Sequence, residues 1–137
     1  MVSLNLLTAS ASDLQYLLSS DQITSVELVK ECLAQIERHD RKPSGAELRA
    51  MMFITKREKL FEVAAMLDEE RRMGRVRGPL HGIPIVLKDQ WQVHPDYGMS
   101  TTAGMSALLE ARNGDSAELV KKVYSMPLLS FGNLKDL

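Results

Sequence analysis

The chain has 137 residues, 17 of them basic and 18 acidic, for a net charge of −1. No field of one sign is present to attract nucleic acid or an anionic membrane, so we expect neither partner. No apolar run approaches the roughly 20 residues of a membrane helix. The single cysteine, Cys32, excludes an internal disulfide and is typical of a reducing compartment. These features predict one cytoplasmic domain covering 1–137.

Three helices are predicted in the first half of the chain. The first is short and lies near residues 10–20, after several capping residues. The second opens with a capping box, because Glu27 follows Thr24 by three residues. The third covers 56–73, and Gly74 is its expected stop.

The second half predicts a strand, a helix and a second strand. The run 83–87 is short, apolar and β-branched, and Pro84 belongs at its first residues, where no ladder bond is required. A helix is expected over 115–124 with Leu119 facing inward, followed by a strand over 127–131. Strands joined by a crossover helix pair in parallel.

The fold class is therefore α/β, with α+β as the alternative: N-terminal helices followed by a small parallel βαβ unit. Residues 51–54 are apolar but short, and they fit an extended segment as well as a helix start. A sheet of only two strands leaves open edges, which invite pairing with another chain. We therefore expect a homodimer or a higher homo-oligomer.

Residues 78–89, which read Gly-Pro-Leu-His-Gly-Ile-Pro-Ile-Val-Leu-Lys-Asp, carry the strongest functional signal. Lys88 closes the apolar strand. A lysine in that position is either carried to solvent or held in a dry site. In a dry site the ammonium is disfavoured, the lysine pKa falls, and the amine can serve as a base.

This segment resembles the lysine-bearing motif of the amidase signature family. The similarity extends upstream to the Ile-Thr-Ser-Val-Glu-Leu-Val run at 23–29 and downstream to the Ser-Thr-Thr-Ala-Gly run at 100–104. Residues 115–123 and 133–134 are also similar to family segments, so the resemblance covers nearly the whole chain. It implies a fold similar to the first part of an amidase signature domain.

The resemblance also implies a chemistry. The family hydrolyses amides with a serine nucleophile, a second serine that bridges to a lysine, and a glycine/serine-rich loop. By resemblance Lys88 is that lysine, and the two serines would follow Leu137. Gln90 and Trp91 depart from the usual asparagine and aliphatic pair after the aspartate.

The candidate catalytic residues are Lys88, Asp89 and His81. The alternative for the Lys-Asp pair is that it holds the strand end by hydrogen bonds. His81 is a candidate proton shuttle because an unperturbed histidine pKa is about 6.5. We favour the alternative that His81 satisfies backbone groups in its turn.

Five residues after Lys88 are candidates for substrate binding. The loop over 90–104 carries two aromatic rings and three hydroxyls, and we expect Lys88 to be mostly buried against Asp89 or those hydroxyls. No spacing of histidine and aspartate matches a metal-ligand pattern, so no metal and no cofactor are expected. Cys32 is expected to be a buried, inert thiol. The candidate substrate-binding residues are Trp91, Tyr97, Ser100, Thr101 and Thr102.

Two function classes follow from a family motif without its serines. The favoured class is a non-hydrolytic enzyme, not a serine amidase, that acts on a small organic metabolite by proton transfer, isomerisation or cyclisation in a pocket around Lys88. The alternative is a catalytically dead family remnant that serves as a binding or oligomerisation module.

Overall fold

The computed structural model describes residues 5–40, 45–110, 114–125 and 129–134. Within these ranges the chain forms four α-helices and three strands, with two short 3-10 turns before the last helix. In chain order they are α1 (Ala11–Ser19), α2 (Ser25–His39), β1 (Met51–Ile54), α3 (Arg57–Arg72), β2 (Pro84–Lys88), the turns at Pro95–Tyr97 and Ser106–Leu108, α4 (Glu118–Ser125) and β3 (Leu129–Leu134).

Side-chain caps begin the first two helices where the sequence predicts them. The Ser10 hydroxyl accepts the Asp13 amide at 3.2 Å, and the Thr24 hydroxyl accepts the Glu27 amide at 3.1 Å. The Glu27 carboxylate in turn accepts the Thr24 amide at 2.8 Å, which completes a capping box. These bonds satisfy amide groups that have no partner inside the helix, and they define where α1 and α2 begin.

Helices α2 and α3 pack against each other and against β1 around the main apolar core. Each buried leucine there stabilises the fold by about 1.5–3 kcal/mol relative to an exposed one. None of the described helices is long and apolar enough to cross a membrane. The fully buried members of this core are Val29, Leu33, Met51, Leu60, Ala64 and Leu67.

The strands form one mixed sheet in the order β1-β3-β2. The parallel pairing of β2 with β3 confirms the predicted βαβ unit. The expected two-stranded sheet is wrong, because β1 also pairs with β3, antiparallel to it. The run 51–54 is too short for its periodicity to distinguish a strand from a helix. Its extended conformation depends on pairing with β3, which lies far away in the sequence. The combination of helices and strands confirms the α/β class.

The crossover helix and the last strand differ in detail from the prediction. Val120 is buried, but Leu119 is 50% exposed and its inward orientation is wrong. Adjacent helical residues lie about 100° apart, so only one of the two can face the core. Strand β3 extends to Leu134, beyond the expected end; residues 127 and 128 of the prediction lie outside the described residues.

Candidate active site

Lys88 is the last residue of β2 and is half-buried, which is less than we expected from the sequence. The preceding Leu87 packs against a small buried cluster that contains Val93, Met99 and Val120. Because successive strand residues point to opposite faces, Lys88 lies on the other face of β2. Val86 shares that face and is 43% exposed. The candidate lysine therefore lies on the open face of an outer strand.

Asp89 follows Lys88 and is fully buried on the closed side of β2. One carboxylate oxygen accepts the Thr102 amide at 3.1 Å. The other accepts the Thr102 hydroxyl at 2.6 Å and the Gly104 amide at 3.1 Å. A carboxylate that accepts several protein donors satisfies the polar groups of a buried loop. The aspartate thus holds the predicted hydroxyl loop against the end of the lysine strand.

Sequence reasoning missed Gly104 as a partner of this aspartate. Ala103 has φ +48° and Gly104 has φ +77°, both in the left-handed region. Glycine enters that region without the steric cost that a Cβ brings. The glycine two positions after Thr102 was the available signal for a tight turn at this point.

A second set of bonds holds the same loop through Thr101. Its hydroxyl accepts the Val93 amide at 3.0 Å and donates to the Trp91 carbonyl at 3.0 Å. The Thr101 hydroxyl therefore binds within the loop, while the buried Thr102 donates its hydroxyl to Asp89. Ser100 is half-buried. The structure brings the predicted hydroxyl residues beside β2, while their binding to a substrate stays a prediction.

The two predicted aromatic residues, Trp91 and Tyr97, are exposed in the same loop. Exposed aromatic rings offer apolar area that a ligand can cover. Their assignment to substrate binding stays a prediction.

His81 is fully buried and both of its ring nitrogens lie near backbone groups. Nε2 is 2.9 Å from the Leu67 carbonyl of α3, and Nδ1 accepts the Arg77 amide at 3.4 Å. Both ring nitrogens thus lie within hydrogen-bond distance of backbone groups, which is the arrangement that the favoured alternative expects. Lys88 lies at the far end of β2, a strand that spans about 13 Å at a rise of about 3.3 Å per residue. The structure therefore does not bring His81 and Lys88 together, and a catalytic role for His81 stays a prediction.

The turn before β2 is fastened to all three N-terminal helices, which sets the direction of the lysine strand. The His81 carbonyl accepts the Arg71 guanidinium at 2.6 Å and the Gln15 amide at 3.0 Å. At Gly82, where φ is +82°, an added Cβ would lie 2.2 Å from the Ser25 hydroxyl. Only glycine permits an approach this close to α2.

A cleft of about 750 Å³ lies between the α1–α2 junction and the end of α3. None of the predicted site residues lines it. Its lining combines apolar side chains with charged side chains of both signs. The lining residues include Leu18, Ile23, Val26, Asp68, Arg71 and Arg72.

Two other candidate chemistries have little support in the structure. Within the described ranges, no three histidine, cysteine, aspartate or glutamate residues form a group that could hold a metal ion. Burial, together with nearby Glu31, raises the pKa of the Cys32 thiol to about 11. A thiol with so high a pKa is a poor nucleophile at neutral pH.

Comparison with known proteins identifies the family to which this fold and its lysine motif belong. The profile of the Amidase family matches residues 27–135. The chain belongs to the Amidase family, as its resemblance to amidase signature proteins implied.

Individual relatives give the extent of the match. The chain is 34% identical to a subunit of the glutamyl-tRNA(Gln) amidotransferase of Chloroflexus aurantiacus over 98% of its own length and 25% of that protein. A putative amidase of Arthroderma benhamiae is 41% identical over 51% of the chain and 12% of the relative. The chain therefore spans a quarter or less of these relatives and corresponds to the N-terminal part of much longer proteins.

Solved structures agree with this placement. The peptide amidase of Stenotrophomonas maltophilia superposes with a TM-score of 0.83 at 35% identity, covering 93% of this chain and 25% of that one. An amidase family protein of Bacillus anthracis also superposes with a TM-score of 0.83 at 25% identity, covering 98% of this chain and 27% of that one.

These relatives overturn the favoured functional prediction. They are named as amidases and as subunits of amidotransferases, so the inference of a non-hydrolytic enzyme for isomerisation or cyclisation is wrong. That inference treated Leu137 as the end of the catalytic machinery, whereas the Chloroflexus protein extends over about four times the length of this chain. The inactive binding module gains no support from these relatives either.

Proposed function

We propose that this chain forms the lysine-bearing part of an enzyme that hydrolyses or transfers amides, with Lys88 taking part in the proton transfers. One observation carries the proposal. Lys88 ends β2 on the open face, and the next residue, Asp89, holds a hydroxyl-bearing loop on the closed face. The lysine thus stands at a rigid strand end inside a fold shared with amidases.

Amide cleavage explains why a lysine would be held in this way. The reaction needs a base that activates the nucleophile and an acid that protonates the leaving amine. An amine removed from water can accept a proton and later return it. Lys88 is half-buried beside the exposed Val86, so its face becomes dry only when further protein covers it. We infer that segments corresponding to the rest of the longer relatives supply this cover and the nucleophile.

The substrate we propose is a small organic amide with an apolar substituent. The support is the pair of exposed rings, Trp91 and Tyr97, in the loop that follows Lys88. Aromatic surface binds apolar groups by burial, while a few polar groups orient the reacting bond. The names of the relatives, which include a peptide amidase and part of an amidotransferase, support amide chemistry in general.

A chimera tests the proposal. This chain replaces the matching N-terminal quarter of the Stenotrophomonas peptide amidase, and turnover of that enzyme's amide substrate is measured. We expect turnover that falls by about 10²–10⁴-fold in Lys88→Met, because a proton-transfer group is lost. Lys88→Arg should not restore it, since a guanidinium does not give up its proton. Lys59→Met is the control, because Lys59 is an exposed helix residue paired only locally with Glu62.

Circular dichroism and a thermal melt establish whether the chimera is folded. A folded chimera without turnover contradicts the proposal. So does a Lys88→Met chimera that works as well as the unsubstituted one.

A further inference from the structure

We propose that Asp89 is a positioning residue, which holds the loop over 100–104 in a left-handed turn beside Lys88 and does not touch the substrate. This inference rests on the proposed function, because a fixed loop matters to turnover only if Lys88 reacts. It develops the alternative, left open by the sequence, that the Lys-Asp pair holds the strand end by hydrogen bonds.

The burial of Asp89 argues against contact with a substrate. Its side chain has no exposed surface, and both carboxylate oxygens accept hydrogen bonds from the loop. Three of the donors come from Thr102 and Gly104, which flank Ala103. A reacting group would have to displace these bonds to reach the carboxylate, and a buried carboxylate that loses its donors is strongly disfavoured.

The backbone between the two donor residues shows what the bonds accomplish. Ala103 has φ +48°, a conformation that a residue with a Cβ adopts only at a steric cost. Bonds to the amides on either side of Ala103 hold it there. Without the carboxylate, Ala103 would relax towards an ordinary conformation, and the hydroxyl residues before it would move relative to β2.

Asp89 also determines the orientation of the lysine. Leu87 and Asp89 face the same side of β2, one packed in the Val93 cluster and the other bonded to the loop. These two contacts fix the strand on both sides of Lys88, which is thereby directed to the open face. The bonds of Thr101 hold the first part of the loop independently. Asp89 thus joins the loop directly to the end of the lysine strand.

The test compares Asp89→Asn with a matched variant, Asp40→Asn, in the 137-residue chain. Asp40 is also buried, and it holds a loop by accepting the amides of Ala50 and Met51 at the other side of the sheet. We expect Asp89→Asn to speed hydrogen exchange at the Thr102 and Gly104 amides by about tenfold or more, because charged hydrogen bonds are lost. Asp40→Asn should leave the hydrogen-exchange rates of those two amides unchanged when they are compared with the exchange rates of the β2 amides.

Thr102→Val provides a second test that removes one bond while keeping the side-chain shape. We expect it to speed exchange at Gly104, and Thr102→Ser to restore the slow rate. If Asp89→Asn does not fold, this pair decides the question. Unchanged exchange at Gly104 in Thr102→Val, or exchange in Asp89→Asn that rises no more than in Asp40→Asn, overturns the inference.

Kinetics of the chimera separate positioning from chemistry. We expect Asp89→Asn to lower kcat while KM stays within about twofold, since binding to the aromatic rings is unaffected. A lower kcat with unaltered loop exchange would mean that Asp89 acts directly, and it would overturn the inference. If the chimera has no turnover at all, the proposed function fails, while the exchange rates still decide the role of Asp89.

Discussion

The helical region and the lysine region of this chain are stabilised in different ways. Helices α2 and α3 enclose a core of buried aliphatic side chains. The lysine region has a smaller cluster around Val93 and Met99, and its shape depends on the bonds of Asp89 and Thr101. The helical region buries its apolar side chains internally, whereas the lysine region presents Val86 and Lys88 on an open face.

This difference predicts how each region should respond to substitutions. Apolar burial is non-directional, so the helical region should lose stability in proportion to the volume removed. Hydrogen bonds fix direction, so the lysine region should lose its geometry before the fold is lost.

The largest effect is expected from Leu67→Ala in the helical core. Leu67 is almost completely buried, and its truncation should cost about 2–5 kcal/mol of unfolding free energy through lost burial and the cavity left behind. Urea denaturation measures the change. The neighbouring Met66 is exposed on the same helix, and Met66→Ala should cost less than about 1 kcal/mol. Equal losses in the two variants would contradict a core centred on Leu67.

A somewhat smaller effect is expected at the turn that joins the two regions. Gly82→Ala adds left-handed strain and a clash with the Ser25 hydroxyl, and we expect a cost of about 2–4 kcal/mol. Gly74→Ala is the matched control, because φ is +72° there and no atom lies within 4 Å of the added Cβ. It should cost only about 1 kcal/mol.

Ser25→Ala isolates the clash at this turn. The Ser25 hydroxyl is buried and has no hydrogen-bond partner among the described residues, so its removal alone should be nearly neutral. Combined with Gly82→Ala, it should recover part of the lost stability in a thermal melt. If Ser25→Ala recovers no stability in the double variant, the whole cost of Gly82→Ala comes from backbone strain.

A smaller effect, dependent on pH, is expected at the start of α2. The Thr24 amide, followed by its hydroxyl, lowers the pKa of the Glu27 carboxyl. A lowered folded pKa stabilises the fold above the unfolded value near 4.5, and this contribution disappears as the pH falls through the folded value. Glu27→Gln should cost about 0.5 kcal/mol at pH 7, a figure reduced for solvent screening, and close to nothing at pH 3.

Denaturation at several pH values measures this difference. Glu31→Gln, at an exposed position of the same helix, is the control. A cost for Glu27→Gln that grows as the pH falls would contradict the capping role.

The smallest effect on folding is expected from Val86→Lys, which tests self-association. The chain should form a homodimer or larger assembly by pairing an outer strand, and β2 with its exposed Val86 is the candidate edge. A lysine there should shift the chain towards monomer in light scattering, with less than about 0.5 kcal/mol lost from folding. Val76→Lys, at an exposed valine outside the sheet, is the control. A clean monomer of the unsubstituted chain at high concentration would contradict the prediction.

Local features of the fold were predictable from the sequence because local chemistry determines them. Capping at Thr24 and Glu27, the stop at Gly74 and the position of Pro84 at the first residue of β2 each depend on a few neighbouring residues. The pairing of β1 with β3 was not predictable, because it joins segments far apart in sequence and a run of four residues has no clear period.

The candidate site was predictable to the same degree. The lysine strand and the hydroxyl loop follow from the motif and its neighbours. The bond from Asp89 to Gly104 depends on a left-handed turn, and the exposure of Val86 depends on which strand lies at the outside of the sheet. Gly104 is a local signal for the turn, but the acceptor of its amide and the position of β2 in the sheet depend on residues outside a short window of sequence.

The central position of β3 has a consequence for folding kinetics. Strand β3, the last of the described strands, pairs with both earlier strands, so neither β1 nor β2 can form its described pairing until residues 129–134 are available. Closing such long loops costs entropy before any ladder bond forms, which slows folding. During synthesis on the ribosome, the helices can form early, while β2, which carries Lys88, remains unpaired until β3 has been synthesised.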